Sequence, residues 1–308
     1  MRIFDSGQIT PDFYVTGPAG VPVYLLDGPQ PALFDAGVSA YADAYVNDIR
    51  SALGERPPAY LFLTHAHFDH VGAAGVFKRI WPDLQIVASE RSAEILQRPG
   101  AIELIALLNA DALSLSQAQG FTPLNENPFE PAGVDVVAAR DQIFHLGADL
   151  SVQVWPAPGH TRDFTCYWIE SRKILIASEA VGNDDGTGAI QPEFLVDIDA
   201  YLDNIDRLAR LPIEVLCPGH ALVLTDDDAR AHMRRTPEYT HRYLEMAEAY
   251  LRETQGDLDA AAQRIKAAEW DPRPWPKQTE QAYMLNTRQR MLKVWERMQA
   301  ASRAKGKK

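Results

Sequence analysis

Between Leu63 and His70 the chain reads Leu-Thr-His-Ala-His-Phe-Asp-His, three imidazoles and one carboxylate within six residues. The apolar run Ala59–Leu63 before it has the length of a short buried strand. Val71, Phe77, Ile80 and Trp81 after it have helical spacing. The motif is therefore expected in a strand-to-helix loop, where a rigid scaffold commonly presents ligands. Two residues apart, His65 and His67 can point together from a turn. Asp69 and His70 address a second position one metal–metal separation away (roughly 3.5–4 Å in two-metal sites). The alternative is a loop of solvated histidines, but so dense a set of ligand-type residues is hard to place without a metal.

The His-x-His-x-Asp-His pattern is that of the metallo-β-lactamase superfamily, and the chain resembles a member over about residues 10–225. Two later segments strengthen the resemblance. Trp155–Thr161 (Trp-Pro-Ala-Pro-Gly-His-Thr) is similar to the family's Pro-Gly-His-Thr loop, and Leu216–His220 (Leu-Cys-Pro-Gly-His) to its last, strand-terminal histidine. Each segment is weak alone; three in order are specific. The resemblance implies an α/β protein, a four-layer αββα sandwich with metals at one edge. It assigns His65, His67 and His160 to one metal, and Asp69, His70 and His220 to the other.

One position departs from the family. Its bridging ligand is an aspartate in a Gly-Asp pair at a strand end, whereas here the strand Lys173–Ala177 runs into Ser178-Glu179-Ala180. Glu179 stands where that aspartate belongs. The extra methylene still lets it bridge two cations, provided the backbone sits back or the chain bends. The other reading is a surface glutamate beside a mononuclear or distorted site, with Asp184 and Asp185 as fallback carboxylates.

By the same resemblance, two divalent ions lower the pKa of a shared water, giving a metal-bound hydroxide nucleophile while one ion polarises the substrate carbonyl. Asp69 is the expected catalytic residue, moving a proton as the tetrahedral intermediate collapses. The reaction class is hydrolysis of an ester, thioester or lactone. Zinc suits a histidine-rich site best, and the mixed nitrogen and oxygen set also suits iron or manganese. Two alternatives remain. A di-iron redox enzyme on this fold has a glutamate for the second histidine of the loop and carries a flavin domain; His67 and the lack of such a domain oppose it. A non-catalytic metal-binding regulatory protein is kept open by the changed bridging residue.

Composition narrows the partners. A net charge of −12 and no basic stripe oppose a nucleic-acid partner. The basic tail Arg303–Lys308 reads as a frayed, solvated end. No signal peptide and no apolar run long enough for a transmembrane helix is seen. Cys166 and Cys217, the only cysteines, fall in apolar segments and read as buried thiols. The expectation is a cytoplasmic protein acting on a small-molecule acyl substrate, without nucleic acid or membrane, a homodimer being left open.

Residues 13–36 read as an antiparallel meander, 39–53 as a helix, 59–64 as a strand and 71–81 as a helix. A strand at Gln85–Ala88 is followed by Ser89 as the cap of a helix from Glu90. Asp35, in an Asp-Ala-Gly turn, is either a partner that holds a ligand histidine or only a turn residue. The apolar stretch 100–119 is core, or in part lines a substrate pocket. Strands follow over 134–158 and 164–177, and a helix over 200–211. Asp163 and Arg162 stand beside His160 and are candidates to orient its loop. His145, His232 and His241 read as ordinary surface or core residues.

The division expected is 1–225 as the metal-binding domain and 226–308 as a helical extension, with helices at 229–254, 257–269 and 277–301. Trp270, Trp275, Tyr283, Met284, Met291 and Trp295 give that extension an aromatic, Met-rich stripe that either packs or walls an acyl pocket. Such an extension, with Ala88-Ser89-Glu90-Arg91 and an acidic turn after Glu179, is similar in part to the alkylquinolone-pathway thioesterase and quorum-sensing effector branch of the superfamily.

Overall fold

A computed structural model describes residues 1–305 except Ala19, 119–127, Ala148, Asp185 and 274–279. The expectations for Asp185, Trp275, residues 277–279 and the last three residues of the basic tail lie outside the described residues.

Two seven-stranded sheets stack face to face. The first holds strands Gly7–Thr10, Phe13–Thr16, Val23–Leu26, Ala32–Phe34, Tyr60–Phe62, Gln85–Ser89 and Val136–Ala138, side by side in chain order. Its first four strands are antiparallel, as the meander requires; from Ala32–Phe34 onward neighbours are parallel. Parallel neighbours need crossovers, and helices Ala42–Leu53 and Ala74–Ile80 supply two.

The second sheet runs Arg2–Ile3, Val223–Thr225, Val215–Cys217, Ile174–Ile176, Thr165–Ile169, Leu150–Pro156 and Ile143–Gly147. Its one parallel pair, Ile174–Ile176 with Val215–Cys217, is connected through helix Ile198–Leu208.

Strand alternation divides the apolar residues between two faces. Ile174, Ile176, Tyr167 and Ile169 face the inter-sheet core with Phe13, Phe34, Phe62 and Cys217. Leu175, Cys166 and Trp168 face outward onto Leu208, Ala229 and Met233. On the far side, Ile49, Leu53 and Phe77 cover the first sheet. Because both faces are covered, the strands read as unbroken apolar runs. The four expected layers follow: helix, sheet, sheet, helix.

Several boundaries differ from the sequence reading. Phe68–Val71 is a helical turn, so Asp69 and His70 sit on a helix and not in the expected loop. It breaks at Gly72-Ala73 before Ala74–Ile80, where the N–H groups of Gly72 and Ala73 donate to the carbonyls of Gly37 and Ala36 at 2.8 and 3.1 Å; the close approach leaves no room for a side chain at Gly72. The helix expected at 39–53 begins as a 3-10 turn, Ser39–Tyr41. The N-terminal strand Arg2–Ile3, paired with Val223–Thr225, was not foreseen; two residues carry no period.

Helix Pro99–Ala118 is only half core: Ile105 and Asn109 are buried, while Leu104 and Leu107 are exposed by 54% and 58%. After Val223–Thr225 come helix Asp226–Glu253, with three aspartates in its first turn, helix Leu258–Ile265 running into a π turn, and helix Glu280–Lys305. They share a core with helix Ile198–Leu208, in which Tyr201 and Ile205 meet Tyr243, Leu251, Ile265, Met291 and Val294. Met291 and Tyr283 are thus packed inside, and the Trp270 ring lies 5.9 Å from that of Tyr283. Among the described residues, no helix is long and apolar enough to cross a membrane.

Candidate metal centre

The seven residues that the resemblance assigned to the metals converge at the ends of the strands. His65–His70 follow Tyr60–Phe62 of the first sheet. His160, Glu179 and His220 follow Leu150–Pro156, Ile174–Ile176 and Val215–Cys217 of the second. Three overlapping donor groups form, with ligand-type atoms all within 4.8 Å in each: His65, His67 and His160; His65, His70 and Glu179; Asp69, His70 and His220.

Most imidazoles are fixed by the nitrogen that faces away. Thr64 donates its hydroxyl proton to Asp35 Oδ2 at 2.9 Å, so the contact of 3.0 Å between Thr64 Oγ1 and His65 Nδ1 is donated by the imidazole. That leaves His65 Nε2 bearing a lone pair, and it is a buried atom without a hydrogen-bond partner, aimed into the cluster. His70 Nδ1 donates to Asp35 Oδ2 at 2.8 Å. His160 Nδ1 donates to the Glu193 carbonyl at 2.5 Å, and His220 Nδ1 to the Gly20 carbonyl at 2.7 Å. Such outward bonds set tautomer and ring direction in metal-ligating histidines. His160 Nε2 and His67 Nδ1 then stand 3.2 Å apart.

Glu179 lies inside the cluster. The strand ends at Ile176, Ser178 takes a left-handed φ of 46°, and Ser178–Val181 forms a 3-10 turn. The chain bends, which is how the longer side chain is accommodated. Glu179 Oε1 is 2.9 Å from both His70 Nε2 and His220 Nε2, and Oε2 is 3.9 Å from His65 Nε2. Ser178 Oγ donates to Oε2 at 2.7 Å. Room for the carboxylate exists because residue 219 is glycine: a Cβ there would lie 2.6 Å from Glu179 Oε1. The fallback Asp184 is buried elsewhere, paired with Arg2.

Electrostatics follow from this packing. Burial alone would raise the Glu179 carboxyl, but His70 and His65 beside it hold it well below the usual carboxylate range. Burial disfavours charge on His70, yet Glu179 and Asp35 push its pKa well up; His220 is raised to about 9 against its burial by the bond to Glu179. His65 and His160 go the other way, mainly through burial, His160 to about 4. Buried carboxylate charge beside the neutral imidazoles of His65 and His160 fits a divalent cation, and His70 and His220 would each give up a proton on binding one.

Exposure is graded across the cluster. The side chains of His65, His70 and Glu179 are closed off, whereas Asp69 and His220 retain 19% and 26% exposure. Asp69 Oδ2 lies 3.6 Å from His220 Nε2. The cluster is open to solvent on this side.

The surrounding residues resolve the open expectations. Asp35 is both turn residue, at φ 58°, and partner of His70. Asp163 Oδ2 accepts from Ala66 N at 2.9 Å and from Ser92 Oγ at 2.8 Å, pinning the His65–His67 loop to the helix that Ser89 caps. Arg162 is exposed. His145 and His241 are exposed, while buried His232 donates to the Val181 carbonyl at 2.9 Å. Cys217 packs between the sheets. Sequence reasoning missed Thr64, Glu193, Gly20 and Phe164, whose ring stacks on His65 at 4.7 Å. Two of these act through main-chain carbonyls, which leave no signature in residue type.

Comparison with known proteins agrees with this geometry. The family described as the Metallo-beta-lactamase superfamily matches residues 16–220. The chain is 24% identical to a probable metallo-hydrolase, YybB, of Bacillus subtilis over 217 residues, covering 68% of this chain and 85% of that one. It is 27% identical over 177 residues to the human acyl-coenzyme A thioesterase MBLAC2, covering 54% of this chain and 57% of that one. Among solved structures, a metallo-beta-lactamase family protein of Thermus thermophilus, TTHA1429, superposes with a TM-score of 0.65 at 18% identity, covering 96% of both chains. The chain belongs to the metallo-β-lactamase superfamily.

Proposed function

We propose that the protein is a metal-dependent hydrolase of an ester, thioester or lactone, with two divalent ions, zinc most suited and iron or manganese as alternatives. His65, His67 and His160 hold one ion, Asp69, His70 and His220 the other, and Glu179 serves both. The observation that carries this reading is the position of Glu179, one oxygen on His70 and His220 and the other toward His65. Relatives named as a metallo-hydrolase and an acyl-coenzyme A thioesterase support the reaction class.

Bound ions of this kind generate a nucleophile from water at neutral pH and polarise a carbonyl. The chain's own residues do the rest. Thr64, Asp35 and the Glu193 and Gly20 carbonyls hold the imidazoles in their donor tautomers. Asp69, on the open side, would accept and return a proton at the reacting centre; its partial exposure supports this role. His67 in the loop opposes the di-iron redox alternative.

The test pairs elemental analysis of reconstituted protein with a hydrolysis panel of acyl thioesters, lactones and aryl esters, run with and without a chelator. About two ions per chain and chelator-sensitive cleavage of one carbonyl class are expected. No metal after reconstitution, or a preference for phosphodiesters or RNA, overturns the reading.

A further inference from the structure

We propose that Arg290, on the C-terminal helix Glu280–Lys305, is a positioning residue for the metal centre, fixing the Pro192–Glu193 segment whose carbonyl orients His160. This rests on the metal-binding reading above.

Arg290 has no exposed surface. A buried guanidinium is costly unless its charge and its donors are matched; Nε is without a partner, and the two terminal nitrogens carry the contacts. It donates to the Pro192 carbonyl at 2.6 Å, to Glu193 Oε2 at 3.4 Å and to Thr287 Oγ1 at 3.1 Å. The rings of Tyr243 and Tyr283 flank it, 5.4 and 5.8 Å from the guanidinium carbon.

Glu193 is held from every side. Its second carboxylate oxygen accepts from Gln191 Nε2 at 2.8 Å, and its N–H donates to the Tyr201 hydroxyl at 3.2 Å. Its carbonyl takes the Nδ1–H of His160. That bond makes Nε2 the free atom and turns it toward His67.

The neighbouring residue repeats the grip: Gln289 Nε2 donates to the Leu195 carbonyl at 2.7 Å. The N–H groups of Leu195, Val196 and Asp197 in turn converge on the carbonyl of Gly159, at 3.1, 3.0 and 3.2 Å, next to His160. One turn of the C-terminal helix therefore controls His160 through its own ring and through the preceding peptide. The helix lies far along the chain from all seven candidate ligands, yet it sets the direction of one.

The experiment is a chelator-competition titration of zinc on the full chain, comparing wild type, Arg290→Met, Arg290→Lys and Val294→Ala. Val294 is buried in the same helical core and reports general loosening. Arg290→Met is expected to weaken zinc binding ~10- to 100-fold, the usual effect of losing a residue that orients a ligand; Val294→Ala lowers the melting temperature but leaves affinity unchanged. Should the Met variant fail to fold, the Lys variant carries the test: it keeps the charge, loses the second donor, and is expected to bind zinc more weakly than wild type. Wild-type affinity in a folded Arg290 variant, or an equal loss in Val294→Ala, overturns the proposal. In metal-free protein, NMR of the His160 Nδ1–H supplies an independent readout, its solvent exchange accelerating in Arg290→Met or Arg290→Lys and not in Val294→Ala. If wild type binds neither zinc, iron nor manganese, the hydrolase reading fails, and this exchange rate alone decides whether Arg290 positions His160.

Discussion

Asp35 accepts the Nδ1–H of His70 at 2.8 Å while its own backbone sits in the left-handed region at φ 58°. Its other oxygen accepts the Thr64 N–H at 2.8 Å. A non-glycine residue in that region carries strain on the order of 1 kcal/mol or more, and it persists here because both carboxylate oxygens are engaged. The turn aims the carboxylate, and the carboxylate in turn aims His70 at Glu179.

Asp35→Asn separates the two roles. Asparagine tolerates the same backbone region, so the variant is expected to stay folded. It loses the charge that favours the donor tautomer of His70, and zinc affinity is expected to fall ~10- to 100-fold. Chelator competition together with a thermal melt checks this; unchanged affinity would refute the role assigned to Asp35.

Glu179 and Gly219 are coupled through space. Gly219→Ala puts a methyl group 2.6 Å from Glu179 Oε1, too close for both to stay, so metal content should drop. Glu179→Asp shortens the side chain and is expected to retain metal. The double variant Glu179→Asp/Gly219→Ala is expected to bind more metal than Gly219→Ala alone, a non-additivity typical of residues in contact. Additive losses in elemental analysis would show that the two do not compete for the same space.

His232 gives a pH signature away from the ligands. Burial lowers its pKa from the ordinary 6.5, with the bond to the Val181 carbonyl opposing. A histidine depressed in the folded state takes up its proton more readily when unfolded, so its contribution to stability declines as pH falls below 6.5. His65, His67 and His160 act in the same direction and His70 and His220 in the opposite one, so only a difference isolates it. His232→Gln retains a donor for Val181 and is expected to show a shallower loss of stability between neutral and mildly acidic pH. Parallel denaturation curves for the two proteins across that range would refute it.

Leu251 has no exposed surface in the core shared by the C-terminal helices and helix Ile198–Leu208. Leu251→Ala is expected to cost ~2–5 kcal/mol by urea denaturation. Zinc stoichiometry should survive at temperatures where the variant is folded. A cost well under 1 kcal/mol would mean that the helices pack more loosely than their burial indicates.

The convergence of the candidate metal-site residues was largely legible because its signal lies in residue types: the dense histidine motif, the two Gly-His segments and the misfit Glu179 could each be read from side chains alone. The sandwich was legible because both faces of each sheet demand apolar residues. Asp35 stayed ambiguous, since a turn-forming aspartate looks the same whether or not a histidine stands behind it. Arg290 was invisible: surrounded in sequence by Arg288, Gln289 and Met291, it reads as a solvated helix face, and only tertiary packing shows it buried. The break at Gly72 was missed because the N–H groups of Gly72 and Ala73 bond main-chain carbonyls of Gly37 and Ala36, distant in sequence.

The two sheets contribute donors from opposite sides of their seam: His65, His67, Asp69 and His70 from the first, His160, Glu179 and His220 from the second. An ion held there grips both halves of the sandwich at once, a clasp across the seam where the inter-sheet core ends. Occupancy and docking of the halves then become one linked equilibrium, in which tighter binding to the docked form raises resistance to unfolding with free metal concentration. Free metal concentration would thus set what fraction of the chain is folded.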